Sequence, residues 1–226
     1  MRKKVFISLF SIFFSIFCSI LFIACGQANL NDYSHTFLSE YRKNLFVAKT
    51  GLFTATFTSG EREENYVMDG IKTKLVDFGV LTVKFNSDLH DETPQFELKI
   101  DSKTFSGELE RNPYDGSFVY DTLCQVEDGA SIELYLVDLD KKEKLVCVSN
   151  LWSADYKEAV NIFSQKYSKE LSNHTKSGKL QGEVYVKIVA TDKNMDNIYW
   201  YVLCVCPNGD IYASLIDPNT KVILQS

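Results

Sequence analysis

Motifs that announce a reaction are missing from this chain. It holds no Gly-x-Ser-x-Gly, no His-Glu-x-x-His, no phosphate-cradling glycine loop and no Ser-x-x-Lys followed by the other penicillin-recognising motifs. Those gaps remove the sequence grounds for a serine hydrolase, a zinc protease or a nucleotide hydrolase. Cys-x-x-Cys is absent, and the three histidines, His35, His90 and His174, lie far from the cysteines, so the spacing of a zinc site is lacking too. Internal repeats, Pro-rich tracts and Gln/Asn runs are also missing, which excludes solenoids and low-complexity segments. The alternation of strands and helices found in two-lobed solute-binding proteins does not occur. Positive charge is scarce: 24 basic residues face 30 acidic ones, a net charge of −6, which disfavours nucleic acid and anionic headgroups as partners.

What is present begins at the N-terminus. Arg2, Lys3 and Lys4 precede a charge-free run from Val5 to Ala24, the pattern of an export signal. The segment Leu21-Phe22-Ile23-Ala24-Cys25-Gly26 resembles the lipobox of bacterial lipoproteins, with Phe22 where leucine is usual and Leu21 one place early. The resemblance implies cleavage between Ala24 and Cys25 and acylation of Cys25, with palmitate-type chains holding the protein on the extracytoplasmic face of the cell membrane. Two or three chains, at about 0.8 kcal/mol per buried CH₂, suffice for stable attachment. The competing reading is a retained transmembrane anchor, since about 20 apolar residues can span a bilayer, although Ser8, Ser11, Ser15 and Ser19 thin the run. Both readings put the rest of the chain in the cell envelope. Residues 1–24 are thus read as a signal peptide and 25–33 as a lipidated tether. Loss of the three N-terminal cations takes the net charge from −6 to −9.

The body, about 200 residues, is long enough for one large or two small domains. From Asn31 to Lys43 the residues Phe37, Leu38, Tyr41 and Leu45 recur at helical spacing, with Asn31 or Asp32 as a cap, and predict a short helix. After Gly51 the period becomes two. Phe53, Ala55 and Phe57 alternate with threonines; Leu81, Val83 and Phe85, then Phe96, Leu98 and Ile100, repeat the pattern. Phe105, Leu109, Phe118, Tyr120, Ile132, Leu134, Leu136, Leu145 and Cys147 extend it. Turn signals at Ser59-Gly60, Asp69-Gly70, Asp101-Ser102, 112–116, Asp128-Gly129 and 140–142 divide these runs. Residues 34–150 therefore read as an antiparallel β-sandwich or curled sheet with a short N-terminal helix. Over 151–226 the spacing of Tyr156, Val160, Phe163, Tyr167 and Leu171 predicts a helix at 153–171 capped by Ser153. Strands follow at 183–190, 198–206, 210–216 and 221–224, with Asn208-Gly209 as a hairpin turn. The fold class is β-rich α+β: a curled or sandwiched sheet, then a helix packed on a four-strand antiparallel meander.

Helix, strands, Tyr199 to Cys206, Asn208-Gly209, Tyr212 to Ile216 and Asp217-Pro218-Asn219-Thr220 resemble PepSY-type and cystatin-like domains of bacterial envelope proteins, with Lys221 where PepSY turns usually have glycine. That resemblance, over about a quarter of the chain, implies a regulator of envelope proteases.

Candidate site residues are few. Cys124, Cys147, Cys204 and Cys206 are either disulfide-bonded or buried thiols; Cys204 and Cys206 share a strand face with Val202, which disfavours a bond between those two. Tyr199, Trp200 and Tyr201 form a candidate partner surface, with at least one of them exposed by strand alternation. Asp192 to Asp196 opens like a calcium loop, but Asn197 and Leu203 replace the required Gly and Glu, so it reads as a solvated turn. Asp88 to Glu92 and Asp138 to Asp140 read as polar loops, and Glu61 to Glu64 as charges guarding a strand edge. Ser172 and His174 are adjacent only along a loop. No catalytic residue, metal or cofactor is assigned. The expected function is a non-catalytic binding or accessory module that meets an envelope protein or a small ligand; an envelope hydrolase using paired carboxylates is the remaining alternative.

Overall fold

Alternation of apolar and polar residues accounts for the first half of the molecule. The computed structural model describes residues 38–64, 73–86, 93–177, 179–191 and 195–225. Outside them lie the signal segment with Cys25, the tether, Phe37, Asp69-Gly70, Asp88 to Glu92 and Asp192 to Asn194. Among the described residues no helix is long and apolar enough to cross a membrane.

Three long strands, β1 (Leu38–Lys49), β2 (Phe53–Glu63) and β3 (Leu75–Phe85), form an antiparallel wall. β4 (Gln95–Ile100), β5 (Lys103–Glu108), β6 (Glu110–Arg111), β7 (Phe118–Thr122), β8 (Ile132–Leu136) and β9 (Lys141–Cys147) complete the curl, by the order β1-β2-β3-β7-β6 on one side and β1-β9-β8-β4-β5 on the other. Inside sit Phe46, Phe53, Ala55, Phe57, Leu81, Val83, Leu98, Ile132, Leu134 and Leu145, all nearly free of solvent. Each such side chain contributes about 1.5–3 kcal/mol by burial.

The second half begins with α1 (Tyr156–Lys166) and α2 (Ser168–Ser172), then the small hairpin β10 (Thr175–Lys176) and β11 (Lys179–Leu180). β12 (Glu183–Ala190), β13 (Ile198–Val205), β14 (Ile211–Ile216) and β15 (Ile223–Gln225) form the expected antiparallel meander. The helix starts later than predicted, because Asp155 caps it: its Oδ1 accepts the Glu158 amide at 2.8 Å. It also breaks at Tyr167, whose hydroxyl donates to the Ala213 carbonyl at 2.8 Å. Tyr156, Ala159, Val160 and Phe163 bury the helix against Val184, Val186, Val202 and Cys204. Trp200 clamps the entry to the helix, donating from Nε1 to the Ala154 carbonyl at 2.9 Å.

The meander is not a separate sheet. β12 pairs in parallel with the start of β1 (Leu38↔Val184, Tyr41↔Val186), while β9 pairs with its end (Phe46↔Cys147). β1 thus feeds both cores: Leu38, Tyr41, Leu45 and Val47 enter the helix core, Phe46 and Ala48 the core of the curl.

Two sequence expectations fail here. The helix predicted over Asn31 to Lys43 is strand from Leu38 onward. Two register shifts, between Leu38 and Glu40 and between Arg42 and Asn44, each insert a residue, and so turn a period of two into spacings of three and four. Ser59-Gly60 is no turn but the middle of β2, opposite the second shift: a Cβ on Gly60 would lie 1.9 Å from the Tyr41 carbonyl oxygen. Nor do Glu61 to Glu63 guard an edge, since β2 is paired on both sides.

Candidate functional site

The face of β2 and β3 turned away from the curl's interior carries hydroxyls. Thr54, Thr56 and Thr58 alternate with the core residues Phe53, Ala55 and Phe57, and Thr56 stands opposite Thr82, Thr54 opposite Lys84. On an open sheet this would be the ordinary solvated face of a β-branched strand. Here Ile188, Ala190 and Met195 stand over it, and the space between is a cleft of about 280 Å³. Lys49 ties the end of that wall to β1, donating to Asp196 Oδ1 at 2.9 Å and to the Met195 carbonyl at 3.4 Å.

Charge is placed at the ends of the cleft. Arg42 Nη1 donates to Thr58 Oγ1 at 3.2 Å and Nε to Glu40 Oε1 at 3.2 Å; Glu40 is buried and also lies 3.6 Å from Lys187 Nζ. At the other end Asp115 accepts from the Ser117 hydroxyl at 2.7 Å and the Ser117 amide at 3.1 Å. Partial burial raises the Asp115 pKa, but these hydrogen bonds, with Lys84 nearby, outweigh it and hold the carboxyl below its usual range. A second recess, about 420 Å³, lies beside the β4–β5 turn between Asp101, Lys103, Gln125 and Glu127.

The sequence-nominated residues disperse. Trp200 is a core residue, 1% exposed, and forms no surface. Tyr199 and Tyr201 are half-buried on the opposite face of β13, which they share with Leu203 and Val205; Tyr201 stands opposite Leu215, and the 64%-exposed Ile211 stands opposite Val205 at the far end of the strand. All four cysteines of the body are buried thiols and no disulfide joins them. Cys124 and Cys147 lie in the curl, Cys204 and Cys206 in the helix core, with Sγ atoms 4.0 Å apart. Burial pushes both the Cys204 and Cys206 thiols up, which keeps them from acting as nucleophiles near neutral pH.

Ser172 and His174 do not combine. The Ser172 hydroxyl donates to the Lys169 carbonyl at 2.6 Å, whereas His174 Nε2 lies 3.2 Å from Asp210 Oδ2 and 3.5 Å from Tyr212 Oη. The Asp138 carboxylate accepts the Gln95 amide at 2.7 Å, and Asp140 accepts from Tyr135 at 3.0 Å, so both serve as loop fasteners. The cleft itself was missed from sequence. Its only signal was the run of alternate threonines, which is indistinguishable from a plain exposed strand until the wall of Ile188 and Met195 is seen to cover it.

Comparison with family models, curated proteins and solved structures finds no match to this chain. The lipobox resemblance therefore rests on Leu21 to Gly26, and the PepSY or cystatin-like one on the C-terminal residues quoted for it.

Proposed function

We propose that this chain is a lipid-anchored bacterial envelope protein, cleaved after Ala24 and acylated at Cys25, whose β-rich body works at the extracytoplasmic face of the membrane as a non-catalytic binding or accessory module. The observation that carries the anchoring is the order of residues at the start: three cations, a charge-free run of twenty residues from Val5 to Ala24, then Cys25-Gly26. Binding is supported by a walled cleft lined with hydroxyls and cations.

Labelling of cells with a radioactive fatty acid tests the anchor. The wild-type chain takes up label and Cys25→Ala does not; label persisting in that variant, or a mature polypeptide starting at Met1 without lipid, refutes it.

A second reading, a PepSY or cystatin-like regulator of envelope proteases, draws on α1 packed over the meander and on Ile211 exposed opposite Val205. Crosslinking in intact membranes tests it: a protease recovered with wild type is lost with Ile211→Asp, and recovery unaffected by that change counts against this surface.

A further inference from the structure

We infer that the cleft over the β2–β3 threonines binds a small acidic saccharide, a hydroxylated ring carrying one carboxylate or phosphate. The inference rests on the reading of the body as a binding module and not on lipid attachment.

Unspent hydrogen-bonding capacity is the first argument. Among the described residues the hydroxyls of Thr54, Thr56 and Thr82 have no hydrogen-bond partner, and Thr58 Oγ1 serves Arg42. Each free hydroxyl can both donate and accept, which is what a sugar hydroxyl also does. Among the described residues Lys84 Nζ has no carboxylate within ion-pair distance, Asp115 acting on it only at longer range, and Arg42 engages Nε and Nη1 but leaves Nη2 without a hydrogen bond. Lys84 at one end and the Nη2 donor of Arg42, whose charge Glu40 already meets, at the other leave donors at both ends of a hydroxyl row for a ligand's anionic group, and charge-assisted bonds to it are the strong ones.

Exclusion is the second. β2 is paired to β1 and β3, and β3 to β2 and β7, so the floor offers side chains and no free backbone edge. Among the described residues no aromatic ring lines the cleft to stack a base, and no glycine loop offers amides to a polyphosphate. The volume, about 280 Å³, lies at the small end for ligand sites and suits one ring. Asp115, spent on Ser117, adds a fixed negative charge at the rim that disfavours a second anionic group.

The test is calorimetric titration of the full-length protein, extracted in detergent, with D-glucuronate, glucose 6-phosphate, D-glucose and inorganic phosphate. Saturable binding of glucuronate or glucose 6-phosphate is expected, with D-glucose weaker by about tenfold or more. Lys84→Met should weaken the acidic sugar by about tenfold, Thr56→Val by roughly threefold to tenfold, and Thr104→Val on β5, outside the cleft, not at all. Thermal melting of each variant at the wild-type midpoint excludes misfolding as the cause. No binding of either acidic sugar, equal binding of D-glucose, or phosphate alone binding as tightly as its sugar ester overturns the inference. Fatty-acid labelling of the same preparation separates the two claims: labelled protein that binds no acidic sugar refutes the cleft alone, and unlabelled protein that binds it refutes the anchor alone.

Discussion

Asn44 and Ser59 meet across the β1–β2 ladder at the point where its register shifts, and together they close a buried polar knot. Asn44 Oδ1 accepts the Ser59 amide at 3.2 Å and the Ser59 hydroxyl at 3.0 Å; Asn44 Nδ2 donates to the Val126 carbonyl at 2.7 Å, and the Val126 amide returns to Ser59 Oγ at 3.1 Å. Both side chains are fully buried. The knot fastens the 123–130 loop to the wall, and it satisfies backbone groups that the shift would otherwise strand.

Asn44→Leu should cost about 2–4 kcal/mol, because it strands the Val126 carbonyl and the Ser59 amide. Denaturant unfolding checks this. A midpoint equal to wild type would mean that the knot contributes nothing.

Gly60→Ala should destabilise by about 2 kcal/mol or more, since the added methyl would stand 1.9 Å from the Tyr41 oxygen, a backbone atom unable to swing aside. Gly129→Ala, with nothing within 4 Å of the new Cβ, should stay within about 0.5 kcal/mol of wild type. Equal melting temperatures for the two variants would contradict the close approach.

Cys204 and Cys206 should resist iodoacetamide in the native protein at about pH 8, because burial holds both thiols protonated and out of reach. Peptide mass mapping should show both alkylated after unfolding in guanidinium. Adducts on either residue without denaturant would show that the helix core opens readily.

Asp217 gives the acid limb of the stability curve a definite sign. Its Oδ1 accepts the Thr220 and Asn219 amides, each at 2.8 Å, and the Thr220 bond is the main reason its pKa falls below the ordinary value. A depressed native pKa means stabilisation present in full above the unfolded value near 4 and lost as pH drops through the lower native one. Asp217→Asn should therefore be less stable than wild type near pH 6, and the gap should shrink as pH falls below about 4. Thermal melts across that range that run parallel would refute it.

Much of the fold was legible because its strands keep a period of two against a single apolar interior, as in Phe53 to Phe57 and Ile132 to Leu136. The Asn208-Gly209 hairpin lies where expected between β13 and β14. β1 was not legible. Buried on both sides and broken by two bulges, it spaces Leu38, Tyr41 and Leu45 as a helix would. Its partnership with β12 has no local signature at all, being a contact between the first described strand and one that lies beyond the whole curl in sequence. The same holds for the cleft: Thr56 and Lys84 are near neighbours in space, but nothing near either in sequence reveals Met195 above them.

The parallel pairing of Leu38 and Val184 bears on the order of assembly. β1 can dock β2 early, yet part of its outer edge waits for a partner that emerges from synthesis only after the whole curl. Non-local closure of that kind slows folding and leaves strand edges open to mispairing in the meantime. A chaperone holding the nascent chain until residues 183–186 arrive would shorten that vulnerable interval.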